Sequence, residues 1–276
     1  MMLKTLVAGA LALLSMVDAQ AQVFGATKPI WVQRSMYRNI IVLDGPTHRC
    51  LTFGRRSARQ SCMEKDAPAT KLVFGYTQRM FDALQYVPNV KRVLVIGIGG
   101  GSIPMAIREK YPDVMVDAVE LDQEVINVAE RFFNFKPNNE LLRVFAEDGR
   151  VHIRKAIREG VKFDVVMLDA FDKDYIPEHM ATAEFLTQVK SALTPGGILM
   201  SNTYKKTGFA KYEEATYQHV FGGVYESVIP NGNRIIFAGK HAADVASHLP
   251  DSARIDESDA TVMRDRFSPV NSLLVR

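Results

Sequence analysis

Four carboxylates stand where apolar segments give way to turns: Glu120 in "DAVELD", Asp148 in "FAEDGR", and Asp169 and Asp172 in "VVMLDAFDKDY". A glycine-rich stretch, "VLVIGIGGGSIPMAI" from Val93 to Ile107, precedes all of them. Glycine permits the positive φ angles of a tight turn and lets a ligand approach the main chain without a Cβ collision. Gly97, Gly99 and Gly101 form a G-x-G-x-G turn, with Ser102 at the place of the third glycine in the dinucleotide pattern G-x-G-x-x-G. Taken alone, this turn is compatible with a ligand cradle or with a merely structural bend.

Glu120 lies about 20 residues beyond the glycines, where an acidic side chain accepts hydrogen bonds from both ribose hydroxyls of a bound nucleoside. Asp148, followed by Gly149, is placed to accept from an exocyclic adenine amine, or equally to cap the next helix. Asp169 and Asp172, followed by Asp174 and Tyr175, would form an anionic mouth at the same edge, suited to a cationic amine and a sulfonium rather than to a pyrophosphate. The competing reading has Asp172 capping a turn and Asp174 solvated. Glycine turn, ribose carboxylate and third-strand aspartate together describe an adenosine pocket. They do not by themselves separate NAD from S-adenosylmethionine and its relatives.

The elements that must position these residues follow from periodicity. "RNIIVLDG" and "HRCLTFG", between Trp31 and about Met63, are β-rich pieces separated by Gly and Pro turns and predict a small antiparallel N-terminal sheet. Lys71 to Val87 places Val73, Tyr76, Met80, Phe81 and Leu84 at helical spacing. Strands "RVLVIG", "VMVDAVEL", "LLRVFAED", "FDVVMLDA" and "GGILMSNT" then alternate with helices near Ile103–Lys110, Gln123–Phe133, Gly149–Glu159 and Ala181–Leu193. Apolar runs this continuous belong to strands covered on both faces, as in a parallel sheet. "YESVIPNGNRIIFAG" predicts a hairpin at Asn231-Gly232 that caps the sheet with an antiparallel edge. The expected organisation is a signal peptide over 1–21, a β-rich domain over 22–70, a Rossmann-like α/β domain over 71–240, and a polar surface-wrapping tail over 241–276.

The 276 residues are 47% hydrophobic, enough to fill a sizeable core. A formal net charge of +3, with 24% charged residues, argues against a nucleic acid partner. Lys4, an apolar run from Leu6 to Val17 and Ala19-Gln20-Ala21 have the layout of a secretory signal, giving a periplasmic or secreted protein, with a cytoplasmic one as the alternative. The run is short for a membrane span, and no stable membrane association is expected. Cys50 and Cys62, set around a predicted Gly54-Arg55-Arg56 turn, are the two cysteines; a disulfide and a reduced buried pair are both open. The histidines lack metal-ligand spacing, and no metal is expected.

The combination of "IIVLDG", "VLVIGIGGGS", "VELD", "EDG", "DVVMLDAFD" and "LTPGGIL" between Tyr37 and Gly239 resembles the spermidine synthase family, the polyamine aminopropyltransferases. The resemblance implies an N-terminal antiparallel sheet, a Rossmann-like S-adenosylmethionine-dependent transferase sheet, and a homodimer. It implies transfer of an aminopropyl group from decarboxylated S-adenosylmethionine to putrescine, releasing methylthioadenosine. By position, Glu120 would hold the ribose, Asp148 the adenine amine, and Asp169 would orient and deprotonate the attacking amine; Asp172 would bind an ammonium, with Tyr175, Tyr76 and Gln78 beside the substrate. The chain departs from the family in the glycine turn, which reads "GIGGGSIP" with no acid where the family usually reads "GGGDGG", and at "GYTQRM", which carries Tyr76, Thr77 and Gln78 in place of an acidic element. The acceptor is therefore read as a polyamine or another amine, and the donor as decarboxylated or intact S-adenosylmethionine. The alternatives are a methyltransferase on the same scaffold and a non-catalytic nucleoside or polyamine binding protein. A nicotinamide oxidoreductase ranks below them, because Ser102 breaks the pattern and no hydride-site acid stands out.

Overall fold

The computed structural model describes residues 25–54, 59–138, 140–171 and 175–265. The expected signal peptide, 1–21, and Asp172 lie outside the described residues.

Strands β1 (Lys28–Arg34), β2 (Asn39–Asp44), β3 (His48–Phe53) and β4 (Arg59–Glu64) form an antiparallel sheet in the order β1-β2-β3-β4. Cys50 and Cys62 face each other across β3 and β4 and are joined by a disulfide, which decides between the two readings left open by the sequence. Helix α1 (Gly75–Leu84) leads into the alternating part: β5 (Arg92–Ile96), α2 (Ser102–Lys110), β6 (Met115–Glu120), α3 (Gln123–Phe132), β7 (Leu142–Ala146), α4 (Gly149–Arg158) and β8 (Phe163–Leu168). A 3₁₀ turn (Glu178–Met180), α5 (Ala183–Ala192), β9 (Leu193–Tyr204), α6 (Ala210–Phe221), β10 (Val224–Val228), β11 (Asn233–Gly239), α7 (Ala242–Ser247) and β12 (Ser252–Arg254) complete it.

The larger sheet has the order β12-β10-β11-β9-β8-β5-β6-β7, parallel from β9 to β7 and antiparallel elsewhere. Its central strands are buried on both faces, which explains their unbroken apolar text: Val93 and Val95 of β5 enter one core, Leu94 and Ile96 the other. Chain order reverses between β5 and β8, so a crevice opens beyond their carboxyl ends. The small sheet packs Ile40, Val42, Leu51, Phe53 and Met63 onto Val125, Val128 and Phe133 of the α3 region, and this docking carries it over the same end.

Three expectations need correction. The stretch after Lys240 is not a surface wrap as far as residue 254: Ala242, Val245, Ala246 and Leu249 recur at helical spacing and are buried, and β12 pairs with β10. The hairpin β10–β11 therefore lies inside the sheet, with β12 as its edge. Helix α6 is not among the elements expected from the sequence, because Glu213 and Thr216 on its buried face hide its period.

Candidate active site

Gly97, Gly99 and Gly101 all adopt positive φ, at 88°, 52° and 79°. The turn is closed by a hydrogen bond from Gly101 N to Ile98 O at 2.8 Å. Each glycine is bare for a different reason. A Cβ on Gly97 would lie 2.4 Å from the Asp169 carbonyl oxygen, and one on Gly99 would press on Ser61 of β4 at 3.1 Å. At Gly101 the space is filled by the Phe135 ring, 2.2 Å from where a Cβ would stand. Gly97 and Gly99 line a cleft, whereas Gly101 does not, so its expected contact with a ligand is replaced by packing.

Glu120 ends β6 and is buried in the same cleft. Its Oε2 accepts from Ile98 N at 3.3 Å and its Oε1 from Asp122 N at 3.2 Å, fixing the carboxylate between the glycine turn and the start of α3. Burial pushes its pKa up, and these backbone donors pull it back. Asp148 caps α4, its Oδ1 accepting from Val151 N at 2.9 Å, and the residue also lines the cleft. Its Oδ2 lies 3.1 Å from His179 Nε2, the contact that does most to hold its carboxyl below the usual range. Gly149 lines the cleft beside it, and a Cβ there would collide with Ile96 at 2.5 Å.

Asp169 follows β8, with its backbone N–H tied to Ile96 O at 2.8 Å. The Tyr76 hydroxyl donates to its Oδ2 at 3.1 Å and the Asn202 amide to its Oδ1 at 2.9 Å. Burial raises this carboxyl to about 7 despite those two donors, with a smaller push from the Glu120 charge. The group is thus poised to exchange a proton near neutral pH.

Tyr76 and Gln78, both on α1, part company. Two helical steps turn the side chain by about 200°, so Tyr76 reaches Asp169 while Gln78 donates to Leu72 O at 2.7 Å, in a separate surface groove with Phe81 and Asp82. Gln78 is outside the cleft and Thr77 is in it. Tyr175 is also turned away: its hydroxyl donates to Glu213 Oε1 at 2.6 Å and its ring stacks on Phe209, because Arg234 and Glu213 offer it a buried polar partner behind the rim. The sequence reading missed Arg38, Phe53, Gln60 and Ser61, which the small sheet brings over the glycines, and His179 on the 3₁₀ turn. Among the described residues no group of three or more His, Cys, Asp or Glu could hold a metal ion, and no helix is long and apolar enough to cross a membrane.

Residues 74–230 match the family model described as spermine/spermidine synthase domain. Over 277 aligned positions the chain is 35% identical to a polyamine aminopropyltransferase of Vibrio vulnificus, covering 90% of this chain and 92% of that protein. The chain belongs to the spermine/spermidine synthase family. The fold agrees with that family: a probable spermidine synthase from Corynebacterium glutamicum superposes with a TM-score of 0.70 at 19% identity, over 88% of this chain and 99% of that one. Human methyltransferase-like protein 13, solved in complex with SAH, is 28% identical with a TM-score of 0.53, over 60% of this chain and 79% of that one. Within the spermine/spermidine synthase scaffold, the cleft that holds Glu120, Asp148 and Asp169 lies at the topological switch point between β5 and β8.

Proposed function

We propose that the chain is a transferase moving an aminopropyl group from a decarboxylated S-adenosylmethionine-type nucleoside to a polyamine or related amine. The observation that carries this reading is Asp169, held by Tyr76 and Asn202 across the cleft from Glu120 and Asp148. Glu120 receives the ribose hydroxyls, Asp148 the adenine amine, and the bare backbone at Gly97 and Gly99 admits the sulfur-bearing chain. Sulfonium is already a good leaving group, so the protein's work is alignment and removal of one proton. The amine lone pair forms the new N–C bond as the C–S electrons return to sulfur. Methylthioadenosine leaves, and the proton of the new ammonium passes to Asp169. Asp172 is proposed to hold an ammonium at the same rim.

The test is product analysis of the purified protein with decarboxylated S-adenosylmethionine and putrescine. Methylthioadenosine and a triamine in equal amounts support the reading; S-adenosylhomocysteine from the intact nucleoside, with no methylthioadenosine, would establish methyl transfer instead. That second reading is favoured by one observation, the likeness to a methyltransferase bound to SAH.

We further propose export, supported by the signal-like layout of residues 1–21 and by the Cys50–Cys62 disulfide; N-terminal sequencing of the secreted or periplasmic protein tests it. A homodimer is proposed from exposed Ile30 and Val32 on edge strand β1 with Met36 and Tyr37 beyond it. Light scattering distinguishes dimer from monomer.

A further inference from the structure

The guanidinium of Arg38 lines the cleft with no acidic partner among the described residues. It stacks on the Phe53 ring, 4.4 Å from the centroid, and Nη1 donates to Phe171 O at a long 3.4 Å. Its Nε–H is buried with no acceptor. The charge is felt by Glu120, but that carboxylate is committed to the Ile98 and Asp122 backbone and makes no ion pair with Arg38. A cation partly withdrawn from water without a counter-charge is unfavourable, and the guanidinium fork matches a carboxylate in shape and donor count. The neighbouring lining contributed by Gln60, Ser61, Thr77 and Ser102 is polar and uncharged.

We propose that Arg38 receives a carboxylate, so that the enzyme takes a carboxylate-bearing substrate: a nucleoside donor whose propyl tail keeps its carboxylate, or an acceptor amine that carries one. The inference rests on the transferase reading above and specifies its substrate class; in its donor form the intact nucleoside takes the place of the decarboxylated one. The reaction balances either way, since the N–C bond forms, the C–S bond breaks toward sulfur, methylthioadenosine leaves and the amine proton passes to Asp169. The carboxylate is a spectator that ends on the product.

Calorimetry on the full chain tests this. For the donor arm, S-adenosylmethionine is compared with its decarboxylated form; for the acceptor arm, ornithine is compared with putrescine in the presence of methylthioadenosine. In one arm the carboxylated ligand should bind about 10-fold or more tighter than its decarboxylated counterpart, as for a charge-assisted contact. R38Q should abolish that ratio, and R38K should keep part of it, since a point charge replaces a fork. Should R38Q not fold, the ratio in R38K decides, and an unchanged ratio there overturns the inference. It is also overturned if both decarboxylated ligands bind as well or better, or if the ratio survives R38Q. Failure of methylthioadenosine to bind the wild type would overturn the transferase reading along with it, whereas binding of methylthioadenosine without a carboxylate preference removes only the inference.

Discussion

Asn202 donates to Asp169 Oδ1 over 2.9 Å, and its own side-chain oxygen accepts from Asn233 Nδ2 over 2.9 Å. The Asp169 carboxylate at the end of β8 is therefore oriented by β9 and, through it, by β11, whose registers place Asn202 and Asn233 near the same end of the sheet. Replacing Asn202 by Leu removes a donor that stabilises the ionised carboxylate, so the Asp169 pKa should rise further. The acidic limb of the kcat/KM profile should move to higher pH in N202L, and likewise in Y76F. A limb that stays in place would show that these donors do not act on the base.

Burial lifts Asp169 from an ordinary 3.8 to about 7, so between those values the folded protein holds a proton that the unfolded chain has released. Stability should accordingly fall as pH rises across that window and level off above it, while on the proposed mechanism activity rises with ionisation of Asp169. The kcat/KM profile should climb to a plateau above about 7. The limb in kcat should lie lower, because a bound cationic substrate favours the carboxylate. Denaturant melts of wild type and D169N between pH 5 and 8 check the stability side, and the variant should lose this contribution to the pH dependence.

The Cys50–Cys62 bridge closes a loop of 12 residues and holds Gln60 and Ser61 against the cleft. Removing it as a double serine variant should cost about 2–4 kcal/mol in unfolding free energy. It should also weaken nucleoside binding, because Ser61 lies against Gly99 and Gly100. Urea melts and methylthioadenosine titrations of the reduced and oxidised protein measure the two effects separately.

Gly97→Ala puts a methyl group 2.4 Å from the Asp169 carbonyl at a φ of 88°. Backbone strain and overpacking together should destabilise the protein by about 2 kcal/mol or more. Because the displaced group is the backbone of the base itself, turnover should fall beyond what nucleoside affinity loses. Gly54→Ala, also at positive φ but with open space around it, provides the comparison for strain without collision.

The strands that frame the site were legible because residues such as Val93 to Ile96 are buried on both faces, so their text is apolar throughout. Glu120, Asp148 and Asp169 were legible because each ends or follows one of those strands. Arg38, Gln60 and Ser61 were not, since they enter the cleft only when the small sheet docks on α3, a contact between residues about 80 positions apart such as Ile40 and Val125. Gln78 was misplaced because the phase of α1, rather than proximity in sequence to Tyr76, decides which side chain faces the sheet edge. Tyr175 was misplaced because the buried Arg234 and Glu213 that draw its hydroxyl lie far along the chain. Helix α6 stayed hidden for a related reason: two of its buried positions, Glu213 and Thr216, are polar and paired, and periodicity reads only apolar ones.

The central claim is that Asp169 takes the proton from the attacking amine, and the D169N variant measures it most directly. With the donor that the wild type turns over, methylthioadenosine formation should drop about 10²- to 10⁴-fold, while the dissociation constant for methylthioadenosine, by titration, stays within about 3-fold. Undiminished turnover in a folded D169N protein, or a loss of binding as large as the loss of rate, would contradict it.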